Sequence, residues 1–239
     1  MLAFSHRPAA MKRLRALLPL LLLIAAGVVL VASGTLKHFD PRHLAADHAQ
    51  LRQLTLASPW LARLGYLGVL VLAVASGAPG LMVLTIAGGM VFGLVEGTLL
   101  SGTGLLLGAL VLFLATRVAL SAGTRPPPAL ATRIRAGFLR HPASYTLFLR
   151  LVPVFPFGAV TMALAWLRCP LWLFAAATAG GGLVMVGFES AVGAGLGEAI
   201  AHGEPVGVHM MAEPHVMLPL LALALLSLVP VLLNRRAPH

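Results

Sequence analysis

The chain has 239 residues, of which 59% are hydrophobic and 10% are charged. Soluble domains average about 45–50% apolar and about 25% charged residues, so this composition excludes an ordinary soluble protein and predicts one polytopic membrane domain. The formal net charge is +10. Because the cations flank apolar runs and no nucleic-acid-binding motif is present, the charge favours anionic lipid headgroups as partners and argues against nucleic acid.

The amino-acid usage bears on disulfide formation and on the type of organism. The single cysteine, Cys169, excludes an internal disulfide, and we expect a small buried apolar side chain there. Arginine far outnumbers lysine, and alanine and leucine are abundant. This usage is typical of a GC-rich bacterial genome and leads us to predict a multi-pass protein of the inner (plasma) membrane.

The N-terminal region, residues 1–59, is predicted to hold an anchor helix and an exterior amphipathic segment. Four cations in residues 1–15 precede an apolar run over residues 16–33. The run is long enough to span a bilayer, which favours an uncleaved anchor with a cytoplasmic N-terminus; a signal peptide cleaved near Ser33 is the alternative. The mixed segment that follows, residues 34–63, then lies outside, although its four cations fit the positive-inside rule poorly.

The first long apolar block, residues 64–116, is too long for a single span. It is interrupted by Gly-Ala-Pro-Gly at residues 77–80, and loose backbone is tolerated at membrane depth only where protein or water satisfies it. We therefore predict a re-entrant hairpin that turns at this break and brings Glu96 back to the outer face. Residues 98–116 then cross inward and leave Arg117 as an anchor on the cytoplasmic side.

The second apolar block, residues 145–197, mirrors the first. A hairpin from the inside breaks at residues 153–156 and returns by Arg168, and residues 171–194 cross outward. The C-terminal part, residues 198–239, is predicted to form an acidic exterior loop and a last crossing that ends in the cytoplasm.

The predicted fold class is therefore an all-α integral membrane protein, a polytopic helical bundle with two opposed re-entrant hairpins in inverted repeat. Paired interruptions of this kind indicate a transporter-like site at mid-membrane. Six conventional crossings are the alternative. The repeat itself is assigned to residues 60–197.

Arg150 is the residue that stands out as a candidate for substrate binding. A cation within a spanning segment usually marks a substrate path or a paired site. Its partner would be Glu189, Glu96 or a lipid phosphate, which arginine can grip through two parallel hydrogen bonds. The alternative is an Arg150 that only snorkels to the headgroups. The two glutamates are candidates for a proton relay, although their places near predicted outer ends favour a solvated helix-end role.

Residues 129–141 are predicted to form an interfacial helix on anionic lipid, since Leu130, Ile134 and Phe138 recur at four-residue spacing among arginines; a plain basic loop is the alternative. Glycines 89, 93 and 97 form small-xxx-small steps that predict close helix packing. The histidines show no metal-site spacing, and nucleotide and nucleophile motifs are absent. We therefore expect no cofactor and no enzymatic activity.

Several of these segments resemble the VTT domain of the SNARE-associated Golgi protein family, within the DedA superfamily. The resemblance covers about residues 60–235. The residues that carry it are Gly77-Ala78-Pro79-Gly80, Ala87-Gly88-Gly89-Met90-Val91-Phe92-Gly93, Gly97-Thr98, Gly108-Ala109, Phe113-Leu114-Ala115-Thr116-Arg117, Phe148-Leu149-Arg150-Leu151-Val152-Pro153-Val154-Phe155-Pro156-Phe157 and Val229-Pro230-Val231.

The resemblance implies two re-entrant hairpins and lipid movement, since relatives scramble phospholipids or return undecaprenyl phosphate across bacterial membranes. Arg150 matches the first arginine of the DedA motif. Pro156 replaces the second one, as in the Golgi-type branch, and Leu81 stands where the DedA branch has an acid. Within the Golgi-type branch, Thr161 stands where asparagine is common.

The sequence thus predicts translocation or scrambling of a phospholipid or polyprenyl-phosphate lipid. The alternatives are an ion- or proton-coupled transporter of a small anion and a membrane-organising protein without transport; a homo-oligomer is left open. The candidate substrate-binding residues are Pro79, Gly80, Glu96, Arg117, Arg150, Pro153, Pro156 and Glu189.

Overall fold

The computed structural model describes residues 7–34, 55, 57–78, 80–121, 129–151 and 155–201. Regular structure within these ranges is entirely α-helical, which confirms the predicted all-α class. The helices are α1 (Arg7–Ala32), α2 (Pro59–Ser76), α3 (Leu81–Ser121), α4 (Ala129–Arg140), α5 (Pro142–Leu151), α6 (Phe157–Trp166) and α7 (Leu171–Ala201).

Three helices of the described part, α2, α3 and α7, are long and apolar enough to cross a membrane. Large apolar side chains point outward on all of them: Val95 is 72% exposed, Trp172 is 70% exposed and Leu64 is 63% exposed. An outer surface of this kind is stable against lipid tails and costly in water. The helices therefore have the length and the surface of a membrane-embedded bundle.

Helix α3 reverses direction at Gly93, where φ is 79° and ψ is 179°. The hydroxyl of Tyr66 hydrogen-bonds both the carbonyl of Leu84 (3.1 Å) and the hydroxyl of Ser101 (2.6 Å). A continuous helix would hold residues 84 and 101 roughly 25 Å apart, at about 1.5 Å per residue. The short arm of α3 (residues 81–92) and its long arm (residues 94–121) are therefore folded back on each other.

Helix α2 and the two arms of α3 form a first unit of three segments. The chain turns after α2, so α2 is antiparallel to the short arm. The long arm runs in the same direction as α2, because a Cβ on Gly104 would lie 2.7 Å from Leu70 and a Cβ on Gly108 would lie 2.7 Å from Val74. The small residues of the long arm thus allow the close packing that the sequence predicts.

Helices α5, α6 and α7 form a second unit with the same order. Arg150 contacts Thr161 and Thr146 contacts Cys169, so α5 and α6 are antiparallel. The chain then turns at Arg168, which has a positive φ of 56°.

The second unit runs in the opposite direction to the first. The long arm of α3 and α7 form the most extensive helix pair. They are antiparallel, because Thr98 lies beside Gly187 and Leu105 lies beside Gly182. Two units with the same segment order and opposite directions are what an inverted repeat requires. The depth of the two hairpins in a bilayer stays a prediction.

Helix α4 occupies the region predicted to be an interfacial helix, but its apolar face points elsewhere. Ile134 and Phe138 are 2% and 5% exposed and belong to a core cluster that includes Val160 and Leu164 of α6. The face that was expected to enter lipid instead fastens α4 to the second hairpin. Leu139 is 65% exposed on the opposite side.

Other predicted segments differ in extent or lie outside the described residues. The predicted anchor run, residues 16–33, lies in α1 except for its last residue, and α1 packs against α2 where Gly27 meets Ser76. Helix α7 continues to Ala201, beyond the expected end at residue 194. The predicted crossing near the C-terminus lies outside the described residues, as does most of the exterior loop before it.

Candidate functional site

The two proline- and glycine-marked breaks lie against each other. A Cβ placed on Gly158, just after the second break, would lie 3.2 Å from the Cα of Gly77 in the first. Beside this contact is a pocket of about 410 Å³. Its lining includes Gly77, Ala78, Gly80, Leu81 and Met82 from the first hairpin, Arg150, Phe155, Pro156, Phe157 and Gly158 from the second, and Gly182, Met185, Val186 and Glu189 from α7.

Arg150 is held on the second-hairpin side of this pocket and is only 6% exposed. Its Nη2 donates a hydrogen bond to Thr161 Oγ1 at 3.1 Å. Its Cζ lies 4.2 Å from the ring centroid of Phe157 and 4.8 Å from that of Phe174. Both contacts fall within the range of attraction between a cation and an aromatic face.

The charge of Arg150 has no counter-charge in the described part of the chain. No carboxylate there lies within 4.0 Å of it, and its Nε and Nη1 are buried without a hydrogen-bond partner. The attraction to two rings and one hydroxyl offsets part of the several kcal/mol that desolvating a charge costs. Two donor nitrogens of Arg150 are therefore left for an acceptor that the described residues do not supply.

The local sequence explains why Arg150 is presented at this point. Helix α5 ends at Leu151, two residues before Pro153, because the residue before a proline avoids helical backbone. The stem of Arg150 lies against the backbone of α7, where a Cβ on Gly181 would come within 2.8 Å of the arginine Cβ. Phe174 is itself fixed by stacking on Phe113 at 4.1 Å between ring centroids.

Glu189 lines the same pocket from α7. Its carboxylate contacts the hydroxyl of Thr85 on the short arm of α3. Because α7 runs on to Ala201, Glu189 is not at a helix end, and the solvated role favoured by the sequence does not describe its position. The side chain lies between two helices at the pocket wall.

Glu96 and Arg117 lie away from the pocket. Glu96 pairs with Arg63 of α2, with 3.2 Å between Arg63 Nη2 and Glu96 Oε2, and both side chains are about one-third exposed. Arg117 donates to the carbonyl of Cys169 and lies over the ring of Phe113 at 4.8 Å. Arg117 thus ties the end of the long arm of α3 to the turn before α7.

The structure brings four of the sequence-predicted residues to one pocket: Gly80, Arg150, Pro156 and Glu189. Pro79 and Pro153 lie outside the described residues. The sequence did not single out Phe157, Phe174 or Thr85 for the site. A usable signal existed for Thr85, because it is the fifth residue of the helix after the first break, as Thr161 is after the second.

The model of the VTT domain family matches residues 78–195. The matched range starts in the first break, ends in α7 and contains both halves of the pocket. The chain contains a VTT domain. This confirms the predicted family, the domain of the DedA and SNARE-associated Golgi proteins, and with the apolar helices it makes the chain a multi-pass membrane protein.

The finer assignment to the Golgi-type branch of VTT-domain proteins stays a prediction. No curated protein and no solved structure matches the chain. Among the described residues, no three His, Cys, Asp or Glu side chains cluster in a way that could hold a metal ion. Among the described lining residues the charged ones are Arg150 and Glu189, and each contacts a threonine hydroxyl.

Proposed function

We propose that this VTT-domain protein moves a lipid with a phosphate-bearing headgroup across the membrane without changing it chemically. The observation that supports this most directly is Arg150, a buried cation to which the described residues bring no counter-charge, at a pocket where two chain breaks meet. Arginine suits phosphate because its planar group offers several donors in fixed directions. Neither cofactor nor chemical step is needed for such an activity.

In this proposal the headgroup enters the pocket and the acyl chains remain in the bilayer. Met82 at the pocket wall is 55% exposed on the outer surface, so the wall reaches the lipid-facing side. Phosphate oxygens would take up the unused donors of Arg150, while Thr161 and the two rings hold the guanidinium in place. The protein would thereby lower the large free-energy cost of bringing a charged group into hydrocarbon.

We further propose a bacterial inner-membrane location with both termini cytoplasmic and with both hairpins re-entrant. The exposed arginines 133, 135 and 140 of α4, which packs on the second hairpin, support a cytoplasmic opening for that hairpin.

Single cysteines at Ala78 and Phe155, in a Cys169→Ala background, test the topology. A bulky impermeant maleimide should modify both more slowly than a cysteine at the exposed Thr132. Rapid labelling of the cysteines at positions 78 and 155 from opposite sides of the membrane would contradict the re-entrant topology.

Lipid movement is tested with purified protein in vesicles that contain a fluorescent phospholipid. Wild-type protein should speed the bleaching of the inner-leaflet label by dithionite, and Arg150→Ala should reduce the rate to that of empty vesicles. Arg133→Ala is the matched control, since that arginine is exposed on α4. A wild-type rate equal to that of empty vesicles with several headgroups would overturn the proposal.

A second candidate, an ion- or proton-coupled transporter of a small anion, is favoured by the surroundings of Glu189. The single hydroxyl proton of Thr85 faces three acceptors: the carbonyls of Leu81 (3.1 Å) and Met82 (3.0 Å) and the carboxylate of Glu189. The Thr85 hydroxyl can donate to a charged Glu189. Alternatively, it can donate to a backbone carbonyl while a protonated Glu189 donates to the Thr85 oxygen. Phosphate-dependent pH changes inside vesicles, abolished by Glu189→Gln, would support this candidate.

A membrane-organising role without transport is the remaining alternative. It requires no occupant of the pocket, so Arg150→Ala would then leave the function in cells intact. Loss of function in cells, with normal expression of the variant, would count against it.

A further inference from the structure

The pocket has two charged residues of opposite sign that do not pair with each other. Arg150 lies beside Gly181 of α7, and Glu189 is eight residues further along the same helix. At about 1.5 Å per residue this is a separation of roughly 12 Å along the helix axis. The separation between the two charged groups is larger still, because the guanidinium of Arg150 turns towards Phe174, in the direction away from Glu189.

The two charges also belong to different halves of the inverted repeat. Arg150 is held by Thr161 of the second hairpin, and Glu189 contacts Thr85 of the first. Because the two hairpins run in opposite directions, these contacts lie on opposite sides of the point where Gly77 and Gly158 meet. A headgroup that passes this point therefore leaves the surroundings of one charge and enters those of the other.

This arrangement treats headgroups differently according to their second charge. A headgroup with only a phosphate is attracted by Arg150 and repelled by a charged Glu189 within apolar walls, where like charges repel strongly. A headgroup that also carries an ammonium group has an attractive partner on each side. The separation of the two residues means that they act in turn on one small headgroup.

We infer that Glu189 is a specificity residue, which makes the pocket select phospholipids with an ammonium group on the headgroup over those with a net negative charge. The inference rests on the proposed movement of phosphate-bearing lipids. It names their class as zwitterionic and assigns the discrimination to one carboxylate, separate from the phosphate contact at Arg150.

The test compares two lipids labelled on an acyl chain, so that the headgroup stays intact: phosphatidylethanolamine and phosphatidylglycerol. Wild-type protein should move phosphatidylethanolamine faster than phosphatidylglycerol by roughly five-fold or more, because only phosphatidylglycerol makes an unfavourable charge contact with Glu189. Glu189→Gln keeps the shape of the side chain and should bring the ratio of the two transport rates close to one. Glu96→Gln removes a carboxylate outside the pocket and should keep the wild-type ratio.

A second measurement separates this inference from the proposed function. Protein purified from vesicles with equal amounts of the two lipids is analysed by native mass spectrometry for bound lipid. If neither lipid moves, the proposed function fails, and the bound-lipid ratio still decides the inference. Enrichment of phosphatidylethanolamine that is lost in Glu189→Gln supports it. Equal binding of both lipids by the wild type, or an enrichment that Glu189→Gln keeps, overturns it.

Discussion

Thr85 and Thr161 occupy the same position in the two halves of the protein. Each is the fifth residue of the helix that follows a break, and each places its hydroxyl against a charged side chain at the wall of one pocket. The partners have opposite signs, Glu189 for Thr85 and Arg150 for Thr161. A repeated backbone thus supports a site whose two ends differ in charge, and this asymmetry leads to several expectations.

Replacement of Arg150 by methionine should raise stability while it abolishes lipid movement. The guanidinium is buried, and no carboxylate of the described residues pairs with it. An apolar side chain of similar length removes its desolvation cost, which we expect to be worth about 1 kcal/mol or more. Thermal unfolding in detergent measures the stability, and the vesicle assay measures the activity. A variant that is both less stable and inactive would indicate a structural role for Arg150 in place of a binding role.

Two neighbouring glycines of α7 should respond differently to alanine. A Cβ on Gly181 would come within 2.8 Å of the Arg150 Cβ, whereas a Cβ on Gly180 has no atom within 4 Å. Gly181→Ala should therefore shift the arginine and lower the transport rate by roughly ten-fold or more, since small misplacements of a binding group are costly. Gly180→Ala should keep the rate and gain slightly in helix stability. Equal rates for the two variants would argue that the position of Arg150 is unimportant.

The reversal of α3 should depend on glycine at position 93. Its φ of 79° with ψ of 179° belongs to a backbone region that is essentially restricted to glycine. Gly93→Ala should lower the free energy of unfolding by about 1–3 kcal/mol, measured by thermal or denaturant unfolding in detergent. Gly68→Ala on α2 is the control, because no atom of the described residues lies within 4 Å of the added Cβ and φ is not positive there. Comparable stability of the two variants would contradict the reversal at Gly93.

Cys169 should be almost unreactive towards maleimide in the folded protein. The side chain is 0% exposed, and burial raises the pKa of its thiol above the usual value, against smaller opposing effects of Thr146, Arg117 and Arg150. A raised pKa means less thiolate at a given pH, and thiolate is the reactive form. Labelling at neutral pH should be slow, and it should become complete once sodium dodecyl sulfate unfolds the chain. Fast labelling of the native protein would place the turn before α7 at the surface.

Much of the fold could be predicted from local sequence. The composition indicates a membrane protein, and the breaks at residues 77–80 and 153–156 indicate where the chain turns, because proline and glycine act on the backbone of their own segment. The sharp reversal at Gly93 was expected only as a return near Glu96. Several glycines lie in that stretch, and only the contacts of Tyr66 with both arms show which one reverses the chain.

The candidate site was predicted in part. Arg150 and Glu189 are rare charges in apolar blocks, and this alone marks them. Their sequence positions could not show that they line one pocket, or that Glu96 instead pairs with Arg63. The predicted end of α7 was too early, so Glu189 was expected near water.

The sequence by itself determined the environment of this protein, its helical class and the points at which the chain breaks, since these follow from residue type and near neighbours. The tertiary structure decided what surrounds each charge. Phe174 and Gly181 reach Arg150 only because α5 and α7 run side by side, and Thr85 reaches Glu189 only because α3 folds back beside α7. Contacts between residues far apart in the chain depend on how helices pack, and no local pattern specifies that packing.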